Sequence, residues 1–247
     1  MSMSPGRLLI VATPIGNLED LSPRARAAFE QADLVACEDT RRTGLLLSQL
    51  GIKKPLVSLH EHNERKRLAG LLADLEAGKV VALASDAGTP LVSDPGFLLA
   101  REAAARGVRI EPIPGPSAVM AALVASGLPP QPFTFAGFPP PKGGKRRTFY
   151  RQLASLAHTL VIFESPHRIA ASLADAAAEL GDRPAVLARE LTKLYEELVR
   201  GRLSEIAAEV ERRGGLKGEL VLVVGPPEPD RERGVLGDEE EGSVGRS

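Results

Sequence analysis

The sequence alternates short apolar runs with amphipathic helical segments, and this order constrains the fold more than any other feature. Arg7–Ala12 is typical of a buried strand, Pro23 opens a helix behind a serine N-cap, and Leu34–Cys37 is a second apolar run. Three helix–strand pairs follow as far as Ile113. Each of these three helices ends at a glycine, namely Gly51, Gly78 and Gly107. The alternation predicts a mostly parallel sheet with helices on both faces.

A second alternating unit begins after the proline-rich turns between Gly115 and Pro132. We therefore predict an N-terminal α/β domain at residues 1–115 and a C-terminal α/β domain at 116–225. Residues 226–247 form a tail with seven acidic and three basic residues, which we predict to be disordered.

The composition narrows the class of protein. Hydrophobic residues make up 43% of the chain, which is enough for a sizeable core. The single cysteine, Cys37, excludes an intramolecular disulfide and a cysteine zinc cluster. No apolar run approaches the roughly 20 residues of a membrane span, and residues 1–6 lack a signal-peptide pattern. We expect a cytoplasmic protein without a membrane partner.

The loop from Ser85 to Gly96 is the strongest single motif. It holds two Ser-Asp pairs, two glycines and two prolines directly after a buried strand. Glycine lets a backbone approach a ligand closely, and proline fixes the shape of a loop. We expect Asp86 to accept hydrogen bonds from a ribose or an amino group, and Asp94 to cap the next helix. Walker and dinucleotide-binding fingerprints do not occur.

Two further loops have both a structural and a functional interpretation. Ser117 can cap the helix that follows it, and the free N–H groups of that helix can hold a ligand carboxylate. His60 and His62 are expected to point to opposite faces of a strand end, and no acidic residue at ligand spacing accompanies them. We therefore predict no metal site.

A basic segment lies within a stretch that has no acidic residue between Pro112 and Phe163. Such cations add salt-dependent affinity for phosphates, and Phe149 or Tyr150 can stack on a base. The alternative is a solvated loop with both aromatic residues in the core. The candidate RNA-binding residues are Lys142, Lys145, Arg146, Arg147 and Arg151.

Nine ordered motifs between residues 7 and 225 resemble the ribosomal small-subunit RNA methyltransferase I family, within the tetrapyrrole methylase superfamily. They are VATPIGNLEDLS, ACEDTRRT, SLHEHNE, ALASDAGTPLVSDPG, PIPGPSA, FAGFPPPKGGKRR, FESPHR, RELTKLYEE and GELVLVV. Together they are highly specific, whereas each alone is weak.

The resemblance implies the class III methyltransferase fold, with two α/β/α domains and S-adenosylmethionine in the cleft between them. It also implies a homodimer that methylates the 2′-oxygen of a decoding-region cytidine in 16S rRNA, as free rRNA or in the small subunit. Thr13–Gly16 replaces the glycine-rich turn of porphyrinoid enzymes, which argues against a porphyrinoid substrate. The implied cofactor-binding residues are Pro14, Ile15, Asp86, Gly88, Thr89, Ser117, Ala118, Phe163 and Glu164.

A ribose hydroxyl is a poor nucleophile, so it benefits from losing its proton or from a nearby cation. Lys193 is the first candidate because a desolvated lysine can have a lowered pKa. Glu38 and Arg41 can instead form an ion pair that shapes the cleft. The candidate catalytic residues on loops facing the cleft are Lys193, Glu38, Arg41, His60 and Glu190.

Other functions remain open at this point. A small-molecule methyltransferase of the tetrapyrrole kind shares the fold and cofactor but needs no basic segment. A ribosome-assembly factor can bind RNA without chemistry. A protein methyltransferase is a third alternative.

Overall fold

A computed structural model of the protein describes residues 6–228. The part of the predicted acidic tail beyond residue 228 lies outside the described residues. Two five-stranded sheets follow one another along the chain, each with helices on both faces. The division into domains at residue 115 remains a prediction.

The first sheet is parallel throughout, as the alternating pattern predicts, with strand order β3-β2-β4-β1-β5. Its strands are β1 (Arg7–Val11), β2 (Leu34–Cys37), β3 (Leu56–Ser58), β4 (Val80–Ala84) and β5 (Arg109–Ile113). A short 3-10 helix at Leu18–Asp20 lies between β1 and the first α-helix. The helices are α1 (Pro23–Gln31), α2 (Thr40–Gln49), α3 (Glu64–Glu76) and α4 (Phe97–Ala105).

Alternate side chains of β1 pack into two separate hydrophobic cores. Leu9 and Val11 pack with Phe29 of α1, whereas Leu8 and Ile10 pack on the opposite face with α3 and α4. Because a strand presents successive side chains to opposite faces, this double burial explains the continuous apolar runs of the first sheet.

Unlike the first sheet, the second sheet is mostly antiparallel. Its strands are β6 (Phe133–Gly137), β7 (Thr159–Glu164), β8 (Pro184–Arg189), β9 (Glu197–Arg202) and β10 (Leu220–Val224). The order is β6-β7-β10-β8-β9, and within the described part of this second sheet β6–β7 is the one parallel pair. A short loop without a helix joins β8 to β9, and such a connection closes only antiparallel strands.

Four helices cover this second sheet, namely α5 (Ala118–Ser126), α6 (Gly143–Leu153), α7 (Ile169–Leu180) and α8 (Leu203–Arg212). The last three pack on one face around the fully buried Tyr150. Helix α5 packs on the other face through Val119 and Leu123, and Ile15 from the first unit joins this core. The two units therefore meet at α5 and the loop after β1.

Candidate active site

A cavity of about 290 Å³ lies where the two units meet. Its walls on the first unit come from the start of α2 and from the loops that follow β1, β4 and β5, at the carboxyl edge where ligands of parallel sheets bind. The other walls come from α5, the ends of β6 and β7, and the start of β10. Of the predicted cofactor-binding residues, the cavity is lined by Ile15, Asp86, Gly88, Thr89, Ser117, Ala118, Phe163 and Glu164, but not by Pro14.

Two hydrogen bonds connect the loops after β1 and β4. The Thr13 amide donates to the Gly88 carbonyl at 2.9 Å, and the Gly88 amide donates to the Thr13 carbonyl at 3.0 Å. Gly88 has a φ of +82°, and a Cβ there would lie 3.3 Å from Cγ2 of Ile15. The bridge therefore requires glycine and holds Ile15 at the cavity wall.

Asp86 organises the start of α2. One carboxylate oxygen accepts from the Asp39 amide at 3.0 Å, and the other lies 3.5 Å from the Arg42 guanidinium. Arg42 lines the cavity, whereas the predicted candidate Arg41 is 89% exposed and pairs with Asp39 at 2.7 Å. The proposed Glu38–Arg41 ion pair is therefore wrong, because Arg41 bonds the cap residue of its own helix.

Asp94 does not cap α4, contrary to the sequence prediction. Helix α4 begins after Gly96 without a cap from its own loop, and the carboxylate of Glu64 accepts from the Leu98 amide at 2.8 Å instead. Asp94 lines the cavity. Burial raises the pKa of Asp94 to about 6, and the nearby carboxylates of Glu38 and Asp86 act in the same direction. A hydrogen bond from Ser85 acts against this rise.

Ser117 caps α5, as predicted. Its hydroxyl accepts from the Met120 amide at 3.5 Å, and the Thr89 hydroxyl donates to the Pro116 carbonyl at 3.1 Å. The second bond joins the Ser85–Gly96 loop to the start of α5. The N-terminus of α5 consequently forms part of the cavity wall, where its free N–H groups favour an anionic ligand group.

Glu164 has a fully buried side chain on the cavity wall. Its Oε2 accepts from the Ser165 amide and lies 3.3 Å from the Arg168 guanidinium. Its Oε1 has no hydrogen-bond partner among the described residues. A buried carboxylate oxygen without a donor is costly, so this atom suits a ligand that brings an N–H or O–H group.

Lys193 lies beside the cavity rather than in its wall. Its ammonium group donates to Glu190 at 2.9 Å and to Glu219 at 3.0 Å, and Glu219 does line the cavity. Burial lowers the pKa of Lys193, but both carboxylates outweigh it, and the net shift is upward. The expectation of a lowered lysine pKa is therefore wrong, since the sequence did not show that two carboxylates meet this side chain.

Glu38 is half-buried near the same loops but does not line the cavity. Burial and the charge of Asp86 raise the pKa of Glu38, while Arg42 and His60 act against this rise. The ring centroids of His60 and His62 lie 6.1 Å apart in an edge-to-face arrangement. The two rings lie on the same side because the chain turns there instead of continuing as a strand. Residues 6–228 contain no group of three potential metal-ligating side chains.

The predicted basic surface is smaller than the sequence suggests. Arg146 is buried and pairs with Asp175 of α7 at 2.7 Å, so it is removed from the predicted RNA contacts. Arg147 lies 3.7 Å from the same carboxylate, and Arg151 pairs with Glu179 at 2.8 Å. The segment itself has no acidic residue, but α7 supplies two from a distant part of the sequence.

Both aromatic residues of the basic segment belong to the core, which was the alternative to stacking on a base. Tyr150 is fully buried and bonds Ser172 at 2.6 Å, and Phe149 packs against the same hydrophobic cluster. Phe138 and Glu219 also line the cavity, although neither was among the predicted site residues. They lie in the motifs FAGFPPPKGGKRR and GELVLVV, and these motifs were the sequence signal that could have indicated them.

No helix in the described part of the chain is both long and apolar enough to cross a membrane.

Fold and site together define a class of methyltransferase. Residues 7–207 match the model of the family described as Tetrapyrrole (Corrin/Porphyrin) Methylases, and the chain belongs to this family. The fold is also that of a uroporphyrin-III-C-methyltransferase from Thermus thermophilus (TM-score 0.62, 25% identity, 89% of this chain and 94% of that one). A diphthine synthase is similar as well (TM-score 0.68, 20% identity, 89% and 90%).

Closer relatives identify the particular branch. The chain is 49% identical to "Ribosomal RNA small subunit methyltransferase I" of Xylella fastidiosa over 90% of this chain and 82% of that protein. It is 47% identical to the protein of that name from Escherichia coli O157:H7, over 90% and 78%. Within the larger family, the chain belongs to the ribosomal RNA small subunit methyltransferase I family, as its nine motifs indicate.

Proposed function

We propose that this protein uses S-adenosylmethionine to methylate the 2′-oxygen of a cytidine ribose in the decoding region of 16S rRNA. The observation that carries the proposal is the cavity between the two units, where all but one of the predicted cofactor-binding residues meet. Membership of the small-subunit rRNA methyltransferase I family supports rRNA as the substrate.

The cavity residues fit the cofactor. S-adenosylmethionine carries amine and hydroxyl donors, and Glu164 offers an unpaired, buried carboxylate oxygen to such a group. Apolar side chains of Ile15, Val119 and Phe163 suit the hydrophobic parts of the ligand. A T. thermophilus uroporphyrin-III C-methyltransferase of similar fold (TM-score 0.63, 22% identity) is described in complex with S-adenyl homocysteine. When bound, the cofactor supplies a methyl group already activated by its sulfonium.

The protein's own contribution is positioning and charge. Lys193 stays protonated between Glu190 and Glu219, so we assign it to stabilising negative charge on the ribose oxygen rather than to accepting a proton. Glu38, with its raised pKa and with His60 nearby, is the candidate proton acceptor. Arg41 has no role in this proposal because it faces solvent.

The decisive experiment is transfer of labelled methyl from S-adenosylmethionine to small ribosomal subunits that lack the modification, followed by nuclease mapping. Label on one cytidine ribose is the expected result. Absence of label despite calorimetric cofactor binding would redirect the search to free rRNA, protein or small-molecule acceptors. Absence of both label and cofactor binding would favour an RNA-binding assembly factor.

Variants of the candidate catalytic residues complete this test. Lys193→Ala and Glu38→Ala should each lower turnover with little effect on cofactor affinity. Lys79→Ala is the control, because Lys79 likewise forms an ion pair, at 2.7 Å from Asp74, but lies away from the cavity. Full turnover in both catalytic variants would overturn the assignment.

We further propose a cytoplasmic homodimer, the location following from the rRNA substrate. Met120 and Val124, both on α5, are 48% and 72% exposed and offer an apolar surface for a second copy. Sedimentation of the wild type beside a Val124→Glu variant tests the dimer. A monomeric wild type would contradict it.

A further inference from the structure

Phe138 is the exposed aromatic residue at the rim of the cavity. Its side chain lines the cavity, yet 53% of its surface remains accessible to solvent. Its ring centroid lies 5.3 Å from that of Phe163, which in turn lies 4.9 Å from that of Phe135. The more enclosed Phe163 therefore supports Phe138 from behind, and a large part of Phe138 stays free.

A β-bulge brings Phe138 to this position. Phe135 pairs with Val161 on β7, but Gly137 pairs with Ile162, so the bulged β6 has one extra residue. Phe138 consequently falls beside Phe163, on the face that carries the cavity. In a regular strand it would lie one position further along and point to the opposite face. Gly137 has a φ of +70°, which glycine adopts without strain.

Along the chain, Phe138 lies between strand β6 and the two lysines of the basic segment, Lys142 and Lys145. A Cβ on Gly137 would lie 3.4 Å from Oγ of Ser93, so the chain before Phe138 touches the Ser85–Gly96 loop. Lys142 and Lys145 follow within a few residues. Both are exposed, and neither makes an ion pair or side-chain hydrogen bond within residues 6–228. Unlike Arg146 and Arg151, they are available for phosphates.

We propose that Phe138 is the platform on which the base of the methylated nucleotide stacks, while Lys142 and Lys145 hold the adjacent phosphates. The proposal rests on the proposed function, and it adds the residue that positions the acceptor. A ribose inside a structured RNA reaches an enzyme cavity when its nucleotide leaves the base stack, and an aromatic face stabilises the unstacked base. The neighbouring cations explain why the occupant is a nucleotide of the RNA rather than an apolar molecule.

The test distinguishes stacking on an aromatic face from apolar packing, and a loss of RNA binding from a loss of cofactor binding. Phe138→Ala should raise the KM for small ribosomal subunits about tenfold, within the range for one base–aromatic stack. Phe138→Trp should retain the wild-type KM, whereas Phe138→Leu, which keeps apolar bulk without a π face, should behave like alanine. The calorimetric Kd for S-adenosylmethionine should change much less than the KM, because Phe138 lies at the rim of the cavity and Phe163 behind it keeps its place in the wall. Phe97→Ala is the matched control, since Phe97 is 61% exposed and does not line the cavity.

A second measurement identifies the stacked base. Anisotropy titrations would compare a labelled rRNA fragment with the same fragment carrying an abasic ribose at the methylated position. The wild type should bind the abasic fragment about tenfold more weakly, and Phe138→Ala should bind both fragments equally. An unchanged KM in Phe138→Ala, or a loss confined to cofactor affinity, would overturn the inference while leaving the methyl transfer intact. A wild type that methylates no rRNA would instead overturn the proposed function.

Discussion

Replacing Glu164 tests whether the unpaired carboxylate oxygen binds the cofactor. The substitution Glu164→Gln keeps the shape of the side chain and removes its charge. Oε2 is already bonded to the Ser165 amide and paired with Arg168, so the effect on ligand binding falls on Oε1. A hydrogen bond to a charged group contributes about 1.5–3 kcal/mol, against about 0.5–1.5 kcal/mol for a neutral pair.

In Glu164→Gln the amide oxygen stays with Ser165 and Arg168, so the NH2 group takes the place of Oε1 and cannot accept from the ligand. Loss of a charged hydrogen bond of about 1.5–3 kcal/mol predicts roughly ten- to hundredfold weaker binding. Glu164→Ala removes the bond entirely and should weaken binding roughly ten- to hundredfold. The assay is isothermal calorimetry with S-adenosylhomocysteine, whose neutral sulfur excludes a contribution from sulfonium charge.

Glu179→Gln is the control for these measurements, because Glu179 pairs with Arg151 at 2.8 Å and does not line the cavity. Cooperative thermal unfolding of each ligand-free variant must accompany the titrations. If both Glu164 variants bound the ligand within twofold of the wild type, Oε1 would have no role in cofactor binding and the reasoning would be refuted.

Four further substitutions test the electrostatics, the loop geometry and the basic segment. Because the folded protein raises the pKa of Asp94 to about 6, ionised Asp94 destabilises the fold as pH rises from about 4 to 6. Asp94→Asn should therefore stabilise the protein by roughly 1–2 kcal/mol at pH 7 after allowance for solvent screening, with no gain below about pH 4 in Tm measurements. Gly88→Ala should cost about 1–2 kcal/mol, because φ is +82°, and should also weaken cofactor binding in calorimetry; unaltered Tm and Kd would contradict this. Arg146→Ala leaves Asp175 without its buried partner and should destabilise the fold by about 3–5 kcal/mol in denaturant titrations. Lys145→Ala should leave the free energy of unfolding unchanged and lower the salt slope of RNA binding by about 0.7–0.9. A loss of stability with an unchanged salt slope would contradict the assignment of Lys145 to RNA binding.

The sequence by itself determined the local elements and the place of the cavity. Strand β2 has the predicted bounds, Leu34–Cys37, because an apolar run with turn residues on both sides is a local signal. The Ser85–Gly96 loop and the loop after β1 meet in the structure, as they must when their strands are parallel neighbours. Ser22 and Ser117 cap their helices as predicted, since a cap involves residues only three positions apart.

The tertiary structure alone decided which polar groups are paired. Glu64 replaces Asp94 as the cap of α4, Asp175 buries Arg146, and Glu190 with Glu219 keeps Lys193 charged. Apart from Glu190 and Lys193, each pair joins residues 26 or more positions apart, and neither periodicity nor composition reports such contacts. The same holds for Phe138, whose orientation depends on a one-residue bulge in the pairing of β6 with β7. Side-chain charge and direction at this site are properties of long-range packing, whereas the order of strands and helices is a property of the local sequence.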